Sequence, residues 1–352
     1  MNYSVSRIPS EQARPELQRI WSSSLRGIGN VDERLWWYAQ APARCEDVFV
    51  LSADDGALPR IVGTAGLELR AFAMAERELR VGLGCNLAVE AAHRTLLPGL
   101  RLLREVRRAT SSELDLAYSL PNERAQPLFV RAGYHELGTI PRYVRILRHA
   151  PYVRRLVDVR PVAACAGAAL DLIGDARHVP RRVRASRSLE LVWLDDVDAR
   201  FDALWERVRH EYPLVARRDA SWLRWRYLVL PRSRARIAAL VERGPGAKLR
   251  AYAVVDQFDG IAHVRDVFGP VDDLDPLLAL LVRDLRDRGA TSASLSYLGS
   301  SDVVGQLEAQ DFHRRDTHRR IFVGAGVGLS DAERALALSP GSWYLTEFDE
   351  YT

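Results

Sequence analysis

Leu87-Ala-Val-Glu-Ala-Ala-His-Arg-Thr-Leu-Leu-Pro-Gly99 and Leu120-Pro-Asn-Glu-Arg-Ala-Gln-Pro-Leu-Phe-Val-Arg-Ala-Gly-Tyr134 are the two runs from which the fold of this chain is read. In the first, Leu87, Val89 and the small residues around them suit a buried strand. Pro98 suits the opening turn of a helix, where its missing N–H costs nothing. Leu100, Leu102, Leu103 and Val106 then make an apolar stripe at helical spacing. Arg104, Arg107 and Arg108 favour the C-terminal end of that helix. A strand, a turn and a helix in that order leave backbone N–H groups unpaired at the helix start, which suits a phosphate. Junctions of this kind are common, so the first run takes its meaning from the second.

Together the two runs resemble the acyl-CoA-binding core of the GNAT acyltransferase superfamily. There the fourth strand reads Val-x-Pro-x-x-Arg and leads into an Arg-x-x-Gly-x-Gly/Ala turn. Here Val89 and Arg94 match, Ala91 stands where proline is usual, Leu97 where the first glycine is usual, and Gly99 fills the last position. The second run matches Asn-x-x-Ala-x-x-Leu-Tyr-x-x-x-Gly-Phe through Asn122, Ala125, Leu128, Gly133 and Tyr134, with Phe129 in place of the tyrosine. The motifs cover residues 1–150, and the rest of the chain is related by pattern alone. The resemblance implies acetyl-CoA or another acyl-CoA as cofactor. Its pyrophosphate would lie at Thr95, Leu96, Leu97 and Gly99, with Arg94 adding charge. Its pantetheine would run beside Leu87, Ala88 and Val89 and be hydrogen-bonded by Asn122. Read without the resemblance, Arg94 is a surface arginine at a strand end and Asn122 a helix N-cap after Pro121.

A chain of 352 residues is too long for one ordinary core and points to two domains. No apolar run approaches the length of a membrane span, and Met1-Asn-Tyr-Ser-Val-Ser-Arg7 lacks the layout of a signal peptide. Cys45, Cys85 and Cys165 are far apart and without metal-like spacing, so no metal is expected and a reducing cytoplasm fits best. Charge is uneven along the chain: 1–150 and 189–352 nearly balance, whereas 151–188 hold eight arginines against three aspartates. That stretch reads as a solvated linker or as a contact for an anion. Nucleic acid is not expected, because the rest of the chain is not basic.

In chain order, strands are expected at residues 3–8, 48–52 and 60–72, with helices at 11–25 and after an Asp32 cap. Beyond the first run, strands are expected at 114–119, 134–137 and 143–147. Residues 161–174, rich in alanine, read as a small-residue helix packed between domains, and a membrane-surface role is a second reading of it. From Leu189 the order repeats. A strand at 189–193 and a helix at 198–210 are followed by an Asp219-capped helix with Trp222, Trp225 and Tyr227. Strands at 237–242, 250–256 and 263–268 precede a helix at 275–288, a strand at 292–297 and a helix at 302–309. The expectation is an α/β protein of two GNAT-like mixed-sheet domains in tandem. Residues 1–150 would bind acyl-CoA, 151–188 form a basic linker or helix, and 189–352 a degenerate second domain. It is degenerate because Gly269-Pro-Val-Asp-Asp-Leu-Asp275 puts three aspartates where a pyrophosphate would bind.

Acyl transfer to an amine needs a base for the nucleophile and an acid for the departing thiolate. The resemblance puts a glutamate where this chain has Cys85 and an acid tyrosine where it has Phe129. The replacement candidates are Glu68 as base, Tyr118 just before the second run, and Asp266 from the second half. Each also has an ordinary reading: a solvent-facing strand residue, a core aromatic, and an interdomain hydrogen-bond partner. Cys85 as a nucleophile would need an activating neighbour, and His93 is the nearest histidine in sequence. Trp222-Leu-Arg-Trp-Arg-Tyr227 either packs a core or stacks on a sugar. It resembles segments of tandem GNAT-like proteins associated with bacterial polysaccharide assembly, which makes a small-molecule or saccharide amine the expected acceptor. Three functions compete: an acyl-CoA-dependent N-acyltransferase, a catalytically silent GNAT-like binding module, and a Fem-type aminoacyl transferase fed by charged tRNA. The last needs a basic groove that the balanced second half does not offer.

Overall fold

Two sheets organise the computed structural model, which describes residues 2–25, 30–44, 47–54, 56, 58–154, 159–230 and 233–351. Cys45 lies outside these residues, and the side chain of Leu96 is likewise not described. The first sheet opens with β1 (Asn2–Pro9), β2 (Asp47–Asp54), β3 (Arg60–Met74) and β4 (Arg77–Val89), all paired antiparallel. Helices α1 (Arg14–Ser24) and α2 (Val31–Gln40) join β1 to β2. Next, β4 pairs in parallel with β5 (Leu116–Ser119), which demands a crossover, and α3 (Leu96–Glu113) makes it. A short α4 (Gln126–Arg131) leads on to β6 (His135–Thr139) and β7 (Arg142–Ile146).

The second half follows α5 (Ala150–Val153) and the long α6 (Arg160–Ser188). It comprises β8 (Leu189–Leu194), α7 (Ala199–Val208), β9 (Leu214–Ala216), α8 (Ala220–Leu223), β10 (Arg236–Glu242), β11 (Leu249–Phe258) and β12 (Ile261–Phe268). After α9 (Val271–Asp287) come β13 (Ser292–Ser296), β14 (Leu298–Gly299), α10 (Ser301–Ala309), β15 (His313–Arg315), β16 (Arg320–Ala325), α11 (Asp331–Ala337) and β17 (Trp343–Leu345). Here β12 and β13 pair in parallel across α9, as β4 and β5 do across α3.

The sheets do not divide where the chain does. From the C-terminal half, β16 inserts between β5 and β6, pairing Phe322 with Ser119 and Ile321 with Gly138. From the N-terminal half, β7 inserts between β13 and β15, pairing Tyr143 with both Leu295 and Arg314. The first sheet thus takes β9, β14, β16 and β17 from the C-terminal half, and the second takes β7 from the N-terminal half. One continuous core holds Leu83, Tyr118 and Ile321 together with Tyr143, Val264 and Leu295. A shared core of this kind couples the halves far more tightly than a linker would.

Several expected details change. The cap of α2 is Asn30, whose side chain accepts from the Asp32 N–H, so Asp32 sits inside the first turn. The start of α3 is Leu96 rather than Pro98, and α9 begins at Val271 rather than at residue 275. The strand expected at 143–147 is β7, which joins the other sheet. Residues 161–174 belong to the longer α6, which is packed along one face only.

The C-terminal segment, for which the sequence suggested no element, is held from several sides. Arg218 is fully buried, donating to Asp349 Oδ2 at 2.5 Å and to the Ala216 carbonyl at 2.9 Å, with Nε 3.3 Å from Asp266. Arg226, also buried, donates to the carbonyls of Glu347, Phe348 and Glu350. The guanidinium groups of Arg218 and Arg70 lie 4.6 and 5.5 Å from the Phe348 ring centre.

Candidate functional site

The first sheet opens where β4 outruns β5. Their parallel pairing ends at Gly84 and Ser119, yet β4 continues to Val89 with only β3 beside it among the described residues. Gly84 permits this last pair, since a Cβ there would collide with Ser119 Oγ. The β3–β4 register slips just beyond, and Asn86 takes a left-handed φ of 49°. A slip at this point turns β4 away from β5, and the strands part around a cleft of about 500 Å³. Gly84, Cys85, Asn86 and Leu87 form one wall, and Ser119, Leu120, Pro121 and Asn122 the other. Leu103, Val106 and Phe129 supply apolar lining, while Glu350 and Tyr351 enter from the C-terminal segment.

A second basin of about 500 Å³ adjoins the cleft, sharing Leu25, Leu87, Asn122 and Ala125 with it. The expected cofactor residues Leu87, Ala88, Val89, Arg94, Thr95, Gly99 and Asn122 all line this basin. Leu97 does not: it is 74% exposed, so it leaves the helix start open instead of blocking it. Gly99 lies close under α4, where a Cβ would touch Leu128 at 3.4 Å. Arg94 Nε donates to the Val89 carbonyl at 2.7 Å, which fixes its guanidinium at the end of β4. Asn122 Oδ1 accepts from the Ala125 N–H at 3.1 Å, the N-cap-like role of its ordinary reading. Arg124 and Arg131 add two cations that the sequence reading passed over. With the first-turn N–H groups of the 18-residue α3, they make a basin suited to a polyanion.

The three expected acid–base residues lie elsewhere, and burial is the reason in each case. Glu68 is 1% exposed and ion-paired with buried Arg70, so it is not the solvent-facing strand residue of its ordinary reading either. The Tyr118 hydroxyl donates to the Asp349 carbonyl at 2.6 Å, deep in the core. Asp266 accepts from Thr346 Oγ1 at 2.6 Å and Tyr252 at 2.9 Å beside Arg218. Burial holds its carboxyl above the usual range, against the pull of Arg218. None of the three lines the cleft or the basin. His93 faces Tyr3, 3.0 Å away, while the Cys85 thiol lies 3.1 Å from the Tyr38 hydroxyl.

Two groups able to move protons in the cleft come from the C-terminal segment. Glu350 is 8% exposed; one carboxylate oxygen is ion-paired with Arg319, and the other, Oε1, is buried with no hydrogen-bond partner among the described residues. The Tyr351 oxygen accepts from Asn86 Nδ2 at 2.8 Å and from the Tyr38 hydroxyl at 2.9 Å. Both of these contacts use it as an acceptor, so its own proton is left to donate. Burial, and the Cys85 thiol after it, push the Tyr351 phenol up, which keeps that proton in place at neutral pH. In sequence these two residues are an unremarkable Glu-Tyr pair with no motif around them.

The second sheet has a corresponding opening beyond its parallel pair, and the chain itself fills it. The Tyr344 hydroxyl donates to the Val267 carbonyl, Thr346 to Asp266, and Arg265 pairs with Glu347 at 2.6 Å. Asp273, in the first turn of α9, is occupied by Arg250 at 2.9 Å. Trp222, Trp225 and Tyr227 are buried, with Trp225 stacked on Trp37 at 4.7 Å, so none of them presents a face to a ligand.

No protein-family profile matches the sequence, and no curated protein matches it either. Solved structures do match. A conserved protein of unknown function from Enterococcus faecalis V583, described as a probable N-acyltransferase, superposes with a TM-score of 0.61 at 9% identity. That match covers 92% of this chain and 72% of the other. A GCN5-related N-acetyltransferase from Kribbella flavida gives 0.59 at 12% identity, over 92% and 70% of the two chains. Another from Anabaena variabilis ATCC 29413 gives 0.61 at 11%, over 92% and 72%. The fold implied by the two sequence runs is the fold these proteins share.

Proposed function

We propose that this chain is an acyl-CoA-dependent N-acyltransferase whose cleft between β4 and β5 receives the thioester. The observation that carries this reading is the continuity of two spaces. A narrow, largely apolar cleft beside the unpaired edge of β4 runs into a basin with Arg94, Arg124, Arg131 and a helix start. A long cofactor with an amide-bearing arm and a pyrophosphate needs those two environments in that order. Acyl-CoA would supply an activated acyl thioester there. Peptide groups along β4 beyond Gly84 would take the place of strand partners for its amides.

The protein's own part is proton handling. The Glu350 carboxylate, on the cleft wall, accepts the proton of an incoming ammonium. The free amine adds to the thioester carbon and the C–S bond breaks. Tyr351 gives its proton to the departing sulfur and regains one from the nitrogen, which sheds its second proton as the amide forms. The acceptor is an amine on a small molecule or saccharide. Since the Trp222 aromatics are taken up in the core, the amine rather than a stacked sugar ring is what the cleft selects. The two halves are read as tandem GNAT-like units whose strands have intermixed between the sheets, the second keeping the order of elements but not the opening.

Acetyl-CoA offered with a broad panel of amines, followed by release of free thiol, tests the reaction. Absence of thiol release from every amine, with CoA still bound in calorimetry, would make the chain a silent binding module. The basin is tested separately. Arg94→Glu is expected to weaken CoA binding about tenfold or more at low salt, and by less at high salt, where the reversed charge is screened. Unchanged affinity would place the phosphates elsewhere.

A further inference from the structure

Helix α6 packs on the body through one narrow face, that of Ala163, Gly167, His178, Arg182 and Ala185. The opposite face stays in solvent and is apolar. Val162, Leu172, Ile173, Val179 and Val183 are 54, 72, 56, 45 and 48% exposed. At 100° per residue they fall on one side of the helix, with alanines between them. From Val162 to Val183 the stripe is roughly 30 Å long at 1.5 Å per residue. Single exposed apolar residues are ordinary, but a continuous stripe of this length marks an interaction surface.

The charges beside the stripe indicate what covers it. Arg177, Arg181 and Arg184 follow one flank, and Arg187 stands at its end; all four are exposed. Arg181 donates to the Ala309 carbonyl and lies 3.9 Å from Asp275. Arg177, Arg184 and Arg187 have no ion-pair partner among the described residues. The acidic residues of the helix are already used: Asp171 by His149 and Arg286, Asp175 by Arg182 and Arg286.

We propose that α6 is a membrane-surface element, lying on an anionic bilayer with its stripe at the acyl boundary and its arginines among the headgroup phosphates. Apolar contact and basic flank reinforce one another in such a geometry, and long arginine stems reach the headgroups from the flank. No described helix is long and apolar enough to cross a membrane, so the contact is with the surface. A second copy of the chain suits the stripe less well. Two such helices face to face would cover the arginines while offering no free carboxylate in return, because Asp171 and Asp175 are both engaged.

The test is co-sedimentation of the full chain with vesicles of phosphatidylglycerol and phosphatidylcholine, against phosphatidylcholine alone. Binding is expected to be about tenfold stronger or more on the anionic vesicles and to weaken as salt is raised. A double variant, Leu172→Asp with Ile173→Asp, is expected to lose binding about tenfold or more, as is Arg177→Glu with Arg184→Glu. All four side chains are solvent-exposed, so the unfolding midpoint of each variant should match the parent, which separates lost binding from lost fold. Failure to sediment with anionic vesicles, or equal binding by the variants, overturns the proposal. It is equally overturned if sedimentation equilibrium finds a dimer of the parent that Leu172→Asp with Ile173→Asp converts to monomer, since the stripe is then a self-interface.

Discussion

Glu350→Gln is expected to lower turnover about a hundredfold or more while leaving CoA affinity nearly unchanged. The substitution keeps the size and planar shape of the side chain, and it keeps one oxygen for Arg319. What it removes is the ability of the carboxylate to take up a proton. The loss should therefore appear in kcat, with calorimetric CoA binding as the control. Tyr351→Phe is expected to cost less, about tenfold, because a thiolate leaves with only modest help from an acid. If Glu350→Gln turns over at the parental rate, the base is another group or water, and the role given to the C-terminal segment fails.

Arg218→Met is expected to destabilise the fold by about 3–5 kcal/mol. Arg218 is buried between Asp266 and Asp349, and its removal leaves two buried carboxylates without their cation. Thr346 and Tyr252 remain on Asp266, but hydroxyl donors do not replace a charge. The same residue holds Asp349 immediately before Glu350 and Tyr351, so turnover should fall with stability. Urea unfolding measures the first effect. A loss under about 1 kcal/mol would mean that the pair behaves like a solvated surface bridge. Arg218→Met with Asp349→Asn should recover part of the loss, since one stranded charge is then gone.

These two expectations concern residues that sequence reasoning did not reach, and the reason is distance along the chain. The basin was legible because its parts are local: a strand end, a helix start and Asn122 come from two short runs, and local hydrogen bonding largely sets their geometry. Tyr351 meets Asn86 and Tyr38 across more than 260 residues, and Glu350 beside it lines the same cleft. Nothing in a Glu-Tyr pair signals such a meeting. Glu68, Tyr118 and Asp266 were attractive for the opposite reason: their residue types suit acid–base work, but sequence does not show which side of a strand is sealed. In β3, Glu68 proves to be buried against Arg70, a counter-charge only two residues away.

The sequence by itself determined most of the order of strands and helices as far as α10, the helix start at the end of β4 and Arg94 beside it. It also held the apolar pattern of α6. Those features depend on periodicity, turn chemistry and composition, which act over a few residues. Only the tertiary structure decided that β7 and β16 change places between the sheets, because an alternating strand fits either sheet until long-range register selects one. The same holds for the filled opening of the second sheet and for the arrival of Glu350 in the first. Both follow from where three buried arginines clamp the C-terminal segment, and a buried charge can be placed only once its counter-charges have been brought to it.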